Sequence, residues 1–159
     1  MVARMPSNRT LKAMNSLNRM AQRVSRGRIG WEFGGMPVLE LTTTGRKSGQ
    51  KRTTLLTSPL RVADSYIVVA SRGGDDAHPA WFLNLRDDPR VMVGTRGRPA
   101  QPMFARIATA AERAELWPRV TADHPNYADY QERTQREIPL VYLTPSAEEG
   151  LAGQRRQPR

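Results

Sequence analysis

Between Thr44 and Lys51 the chain reads Gly45-Arg46-Lys47-Ser48-Gly49-Gln50, and Arg52 follows directly after. Backbone amides in a glycine-bounded turn, with cations on it and just beyond it, make a concavity suited to an anion. It is not a nucleotide-type phosphate loop. Three residues rather than four separate the glycines, Gln50 stands after the second, and the next stretch is patterned as a strand rather than a helix. A second basic loop, Ser71-Arg72-Gly73-Gly74, closes another apolar stretch, and His78-Pro79-Ala80-Trp81-Phe82-Leu83-Asn84 adds an indole and a carboxamide. Cations from two loops beside an aromatic shelf suit a planar ligand that carries several negative charges. The plainer readings are a solvated turn and a helix anchored by Trp81 and Leu85, which would leave Asn84 exposed. Tyr127 and Tyr130 are three apart, with His124 one step earlier on the same helical face. They are either core residues or the wall over a ring-shaped substrate.

Other chemistries find no support. There is no cysteine, so disulfides, thiolate metal sites and cysteine nucleophiles are excluded. The two histidines, His78 and His124, stand in no cluster with metal-ligand spacing. No credible nucleophilic triad is visible. No apolar run approaches eighteen residues, and Arg4 is not followed by the apolar stretch of a secretory signal, so a cytoplasmic protein is expected.

The formal net charge is +10, and Arg4, Arg9, Lys12, Arg19, Arg23, Arg26 and Arg28 precede the first acid, Glu32. The basicity is therefore concentrated in one arm, residues 1–30. Within it Leu11, Met14, Leu17, Met20, Ala21 and Val24 recur at three- and four-residue steps, the stripe of an amphipathic helix with a cationic opposite face. One reading packs this helix on the domain. Another lays it on the anionic inner face of the plasma membrane, and a third lets it touch nucleic acid.

The elements that must position these groups follow from the pattern. Strands are expected over 37–44, 51–56, 66–70, 90–96, 100–107 and 138–143, with turns at 45–50 and 63–65. Pro139 suits a sheet edge or a strand start. Short helices are expected over 80–86, before the Asp87-Asp88-Pro89 stop, and over 126–137. Thr109 and Glu112 stand in capping-box spacing ahead of another helix. The sum is an α+β protein: an antiparallel sheet over 31–145 with surrounding helices, closed toward a small barrel to hide its edges, and followed by a polar tail at 146–159.

At this point the residues carry a resemblance. Residues 41–49, then Arg52-Thr53, then 69–74, then Pro79-Ala80-Trp81-Phe82-Leu83-Asn84 resemble the deazaflavin-dependent nitroreductase family of actinobacteria. The match continues through the capped helix, Tyr127-Ala128-Asp129-Tyr130-Gln131 and Ile138-Pro139. The resemblance implies a split β-barrel of the flavin-reductase type and coenzyme F420, a deazaflavin with a phosphate and oligoglutamate tail. It implies hydride transfer to a quinone-like, nitro or other electron-poor acceptor. By the same resemblance Arg46, Lys47, Ser48 and Arg52 would hold the phosphate and glutamates. Thr53, Thr54, Leu55, Leu56, Thr57, Val69, Ala70, Ser71 and Arg72 would line the ring and linker, with Ala80, Trp81, Phe82, Leu83 and Asn84 on another side. Tyr127 would touch the cofactor and border the substrate pocket with Tyr130, while Ser71 would orient the substrate. Three positions depart from the family pattern: Leu55 where proline often stands, Arg72 where lysine is common, and His124 where some members have tyrosine. Two alternatives keep the basic groove: an F420 carrier without turnover, and a reductase using flavin mononucleotide instead.

Overall fold

The structure, a computed structural model, describes residues 32–146. The basic arm at 1–30 and the tail after Ser146 lie outside the described residues. Eight strands form an antiparallel sheet: β1 (Glu32–Phe33), β2 (Met36–Thr44), β3 (Lys51–Thr57), β4 (Leu60–Val62), β5 (Ser65–Val69), β6 (Arg90–Thr95), β7 (Arg98–Ile107) and β8 (Leu140–Pro145). Three helices accompany it: α1 (Ala80–Asp87), α2 (Ala110–Asp123) and α3 (Asn126–Glu132). The strand order is β1-β2-β6-β7-β8-β5-β4, with β3 paired to β2 off this path. This is an α+β half-barrel. Its two rims, β3 and β4, are joined through Ser58, whose amide donates to the Pro37 carbonyl and whose hydroxyl donates to the Ile67 carbonyl.

The alternation of side chains along the strands builds two cores. Leu39, Leu41, Val68, Ala70, Val141 and Leu143 point to the barrel interior, where Phe82 and Leu85 of α1 close one end. The intervening residues Ile67, Val69, Leu140 and Tyr142 face the other way and meet Leu116 and Val120 of α2 and Tyr127 of α3. β5 and β8 are thus apolar on both faces, which explains why 66–70 and 140–143 read as unbroken apolar runs. The capping box at the start of α2 forms as its spacing predicts: Thr109 Oγ1 accepts from the Glu112 amide, and Glu112 accepts from the Thr109 amide.

Three boundaries differ from the sequence expectation. The 63–65 turn is the tip of a hairpin, so an additional strand, β4, precedes it. The last strand begins at Leu140, because the main chain of Ile138 is taken by side chains: Arg113 Nε donates to its carbonyl at 2.8 Å and Gln131 Oε1 accepts from its amide at 2.9 Å. Pro139 accordingly sits at a strand start, and β8 is an interior strand between β7 and β5 rather than an edge. Finally, α3 ends at Glu132 rather than near 137, since Thr134 and Arg136 turn away to bind the loop before α1.

Candidate functional site

The basic turn is closed by its own glycines. The Gly45 amide donates to the Gln50 carbonyl at 2.7 Å, and its carbonyl accepts from Gly49, which takes a left-handed φ of 68°. A Cβ at Gly45 would lie 2.8 Å from Ser48 Oγ and 3.1 Å from the Gln50 carbonyl, so only glycine permits this closure. Arg46, Lys47, Ser48 and Arg52 are all exposed. Among the described residues no carboxylate lies within ion-pair reach of Arg46, Lys47 or Arg52, and nothing accepts from the Lys47 and Ser48 amides. Lys51 instead donates to Thr44 Oγ1 at 2.9 Å.

Asn84 positions this turn. It is buried, at 5% exposure, and its carboxamide nitrogen donates to Thr43 Oγ1 at 3.1 Å. Its oxygen accepts from the Arg46 amide and guanidinium. The plainer reading of an exposed Asn84 is therefore excluded, and α1 is pinned to the end of β2. Trp81 on the same helix is half-buried and edge-on to Phe82, with ring centroids 6.3 Å apart. Phe82 is itself in the core, Leu83 is half-buried, and Ala80 is exposed.

β3 carries the site away from the turn. Among the described residues β2 is its one strand partner, and its residues Thr53, Thr54, Leu56 and Thr57 are half-buried while Leu55 is buried. Thr53 is tied to Thr42, their hydroxyls 2.8 Å apart. Six residue steps from Lys51 to Thr57 span about 20 Å. At the far end the Thr57 hydroxyl meets the Tyr127 hydroxyl at 3.1 Å. Tyr127 is buried, and burial pushes its phenol above the ordinary value, opposed by the bond to Thr57. His124 and Tyr130 stand edge-on to it, at 6.4 and 6.0 Å between ring centroids. Tyr127 is thus a core residue, and the half-buried Tyr130 is the more open of the pair.

The third wall is the loop after β5. Val69 and Ala70 are buried in the two cores, so only the backbone of this segment is available to a ligand from the barrel rim. Arg72 has a left-handed φ of 46° and lies 3.7 Å from Asp75, which draws on its charge. Gly74, at φ 84°, packs under α3: a Cβ there would come 2.6 Å from the Tyr130 carbonyl. Arg136 then fastens the loop from the other side. Its guanidinium donates to the carbonyls of Ala70, Ser71 and Asp75 at 2.8 to 3.2 Å, and lies 3.2 Å from His78 Nδ1. His78 in turn stacks at 4.8 Å on Phe82 of α1. Burial, then the Arg136 and Arg86 charges, hold its imidazole below the usual histidine value.

These contacts close a circuit: basic turn, α1, His78, Arg136, loop 71–75, α3, Tyr127 and β3. The residues singled out in the sequence are thereby assembled around one strand, with cations at one end and tyrosines at the other. Arg136 was not among them. Its partners are main-chain carbonyls, which leave no mark in a sequence.

A family model described as F420H(2)-dependent quinone reductase matches residues 15–145. The chain belongs to the F420H(2)-dependent quinone reductase family. Over 131 residues it is 41% identical to an F420H(2)-dependent quinone reductase of Mycobacterium tuberculosis, covering 77% of this chain and 83% of that one. A solved F420-H2 dependent reductase, FDR-A, is 37% identical with a TM-score of 0.59, over 67% of this chain and 93% of its own. A second solved relative, described as a domain-swapped dimer, is 32% identical with a TM-score of 0.60, over 80% and 98%. The F420H(2)-dependent quinone reductase match spans the whole circuit, from the basic turn to Arg136. It also reaches back to residue 15, inside the basic arm.

Proposed function

We propose that this chain passes a hydride from reduced coenzyme F420 to a quinone-like acceptor, which gains one proton besides to become the quinol. The observation that carries this reading is the polarity along β3. Cations with no ion-pair partner among the described residues stand at one end and an aromatic wall at the other, about 20 Å away, a length suited to a ring with an anionic tail. Arg46, Lys47, the Lys47 and Ser48 amides and Arg52 would hold the phosphate and glutamates through charge-assisted hydrogen bonds. Thr53, Thr54, Leu56 and Thr57 would run beneath the linker and ring, opposite the Ser71 and Arg72 backbone and Trp81. The bound deazaflavin supplies the hydride chemistry, so the protein's task is to hold donor and acceptor close and aligned. Tyr130, half-buried beside Tyr127, would border the acceptor. Nitro compounds and other electron-poor acceptors would enter the same opening.

The test is a comparison of affinities followed by turnover. The full chain is titrated with coenzyme F420 and with flavin mononucleotide, then reduced F420 is mixed anaerobically with a soluble naphthoquinone and, separately, a nitroimidazole. Preferential F420 binding with quinone-dependent reoxidation is expected. Tighter binding of flavin mononucleotide, or F420 binding without any reoxidation, overturns the proposal in favour of a flavin reductase or a carrier.

A further inference from the structure

Arg136 lies outside every residue set so far assigned to the groove, yet it spends its whole guanidinium on the loop beside it. Nε donates to the Asp75 carbonyl at 2.8 Å, Nη2 to the Ser71 carbonyl at 2.9 Å, and both terminal nitrogens to the Ala70 carbonyl at 3.2 Å. A purely structural staple would bind whichever carbonyls were at hand. Two of these, Ala70 and Ser71, are consecutive, and the third, Asp75, closes the same turn.

The Ala70 carbonyl shares its peptide unit with the Ser71 amide. Ser71 is buried at 8% exposure, and among the described residues no acceptor lies opposite that amide. A buried donor left unpaired costs roughly 1–3 kcal/mol, so one that is kept calls for a partner from outside the chain's own groups. Two donor contacts from a cation to the Ala70 oxygen draw electron density through the peptide. That strengthens the Ser71 N–H as a donor, since linked hydrogen bonds polarise one another. Arg136 is also fixed in place from behind: the Thr134 hydroxyl accepts from its amide at 3.3 Å and Gln131 Nε2 donates to its carbonyl at 2.8 Å.

We infer that Arg136 is a positioning residue for the cofactor, which aims and polarises the Ser71 amide as a hydrogen-bond donor to an acceptor atom of the deazaflavin ring or its ribityl linker. The inference rests on the proposed F420 function, and it concerns the ring side of the site, not the tail.

The experiment separates a ligand role from a fold role. Coenzyme F420 and a tail-less deazaflavin are titrated into the full chain, the Arg136→Lys variant and an Arg113→Lys variant, each with its melting temperature measured. Arg113 is the control because it donates to the Ile138 carbonyl and touches nothing in the 70–78 loop, meeting Arg136 only at one remove through the Gln131 side chain. Arg136→Lys should weaken both ligands by about tenfold, equally with and without the tail, the size of one lost ligand hydrogen bond. Arg113→Lys should leave both affinities within about twofold even where its melting temperature falls as far. In the wild-type chain, labelled at nitrogen, the Ser71 amide proton should move strongly downfield when the tail-less deazaflavin binds. This last readout stands even if Arg136→Lys fails to fold. An unmoved Ser71 amide in a saturated complex, or affinity losses that track melting temperature alike in both variants, overturns the inference. Should the wild type bind neither deazaflavin, it is the proposed function that fails.

Discussion

The Asn84 carboxamide oxygen accepts from the Arg46 amide at 3.2 Å and from the Arg46 guanidinium at 3.3 Å, so one buried side chain sets both the backbone and the cation of the basic turn. Replacing Asn84 with alanine releases the Arg46 amide and strands the buried Thr43 hydroxyl, an unpaired group that costs roughly 1–3 kcal/mol. A drop in melting temperature and a disordered turn are expected. Asn84→Asp is the sharper change: it keeps the acceptor, loses the donor to Thr43, and places a negative charge beside the turn proposed to hold the anionic tail. It should weaken coenzyme F420 about tenfold while leaving a tail-less deazaflavin nearly unaffected. Calorimetric titration of the two ligands decides this, and equal losses would mean that Asn84 does not act through the turn.

Lys47 and Arg52 are the simpler test of the same end of the groove. Both are exposed and ion-paired to nothing among the described residues, so their interactions with a ligand are of the kind salt screens. Lys47→Ala combined with Arg52→Ala should reduce F420 affinity progressively more as the oligoglutamate tail lengthens. Wild-type affinity should fall with ionic strength, and the double variant should show a shallower salt slope. A loss independent of tail length would place the tail elsewhere.

Much of this arrangement was legible beforehand. The turn at 45–50 announces itself through two glycines and a failed P-loop spacing, and the capping box at Thr109 and Glu112 needs only its three-residue step. The helix over Ala80–Asp87 follows from its proline-bounded ends. What the sequence could not show are partners chosen by the fold. Asn84 reads as a surface residue on a short helix until β2 brings Thr43 beneath it. Arg72 reads as a second free cation until the loop turns back and sets Asp75 beside it. Arg136 is invisible because it binds carbonyls, and the start of β8 is displaced because Arg113 and Gln131 satisfy Ile138 in place of a strand neighbour.

Tyr127 and Tyr130 are three residues apart but not equivalent. Tyr127 is buried and its hydroxyl bridges to Thr57, whereas Tyr130 is half-buried with the Arg133 guanidinium 5.5 Å from its ring. Tyr130→Phe keeps the ring and removes the hydroxyl, so F420 affinity should hold while the turnover or Michaelis constant for a quinone changes. Tyr127→Ala empties a core position, and loss of a large aromatic side chain typically costs about 3–5 kcal/mol. It should therefore lower the melting temperature sharply, beyond any effect on acceptors. His124→Tyr, which places a phenol on the same helix face, should extend activity toward a nitroimidazole. Steady-state kinetics on both acceptors checks all three, and wild-type behaviour from Tyr130→Phe and His124→Tyr would move the acceptor pocket away from α3.

Acid should loosen the chain in two stages, the upper one traceable to a single histidine and the lower one to paired carboxylates. His78 titrates below the ordinary imidazole value of 6.5, first because it is buried and then because Arg136 and Arg86 repel its cation. The unfolded chain therefore takes up this proton at higher pH than the folded one, and stability falls as pH drops below about 6.5. Protonation also removes the Nδ1 lone pair that faces Arg136 at 3.2 Å, so the 70–75 loop loosens with it. Glu112 follows lower down. Hydrogen bonds from Arg106 and from the Thr109 amide hold its carboxyl at about 2 against an ordinary 4.5, so its contribution is complete above 4.5 and lost as pH falls toward 2. Melting curves from pH 8 to pH 3 should show both stages in the wild type. His78→Gln should remove the upper one, since a carboxamide accepts without titrating, and should abolish any loss of F420 affinity that accompanies protonation of this imidazole below pH 6.5. Glu112→Gln should diminish only the lower stage, to which Asp88, held down by hydrogen bonds from Arg90, also contributes, and should leave cofactor affinity untouched. An upper stage that survives His78→Gln would assign it to another group and detach the Arg136 loop from pH.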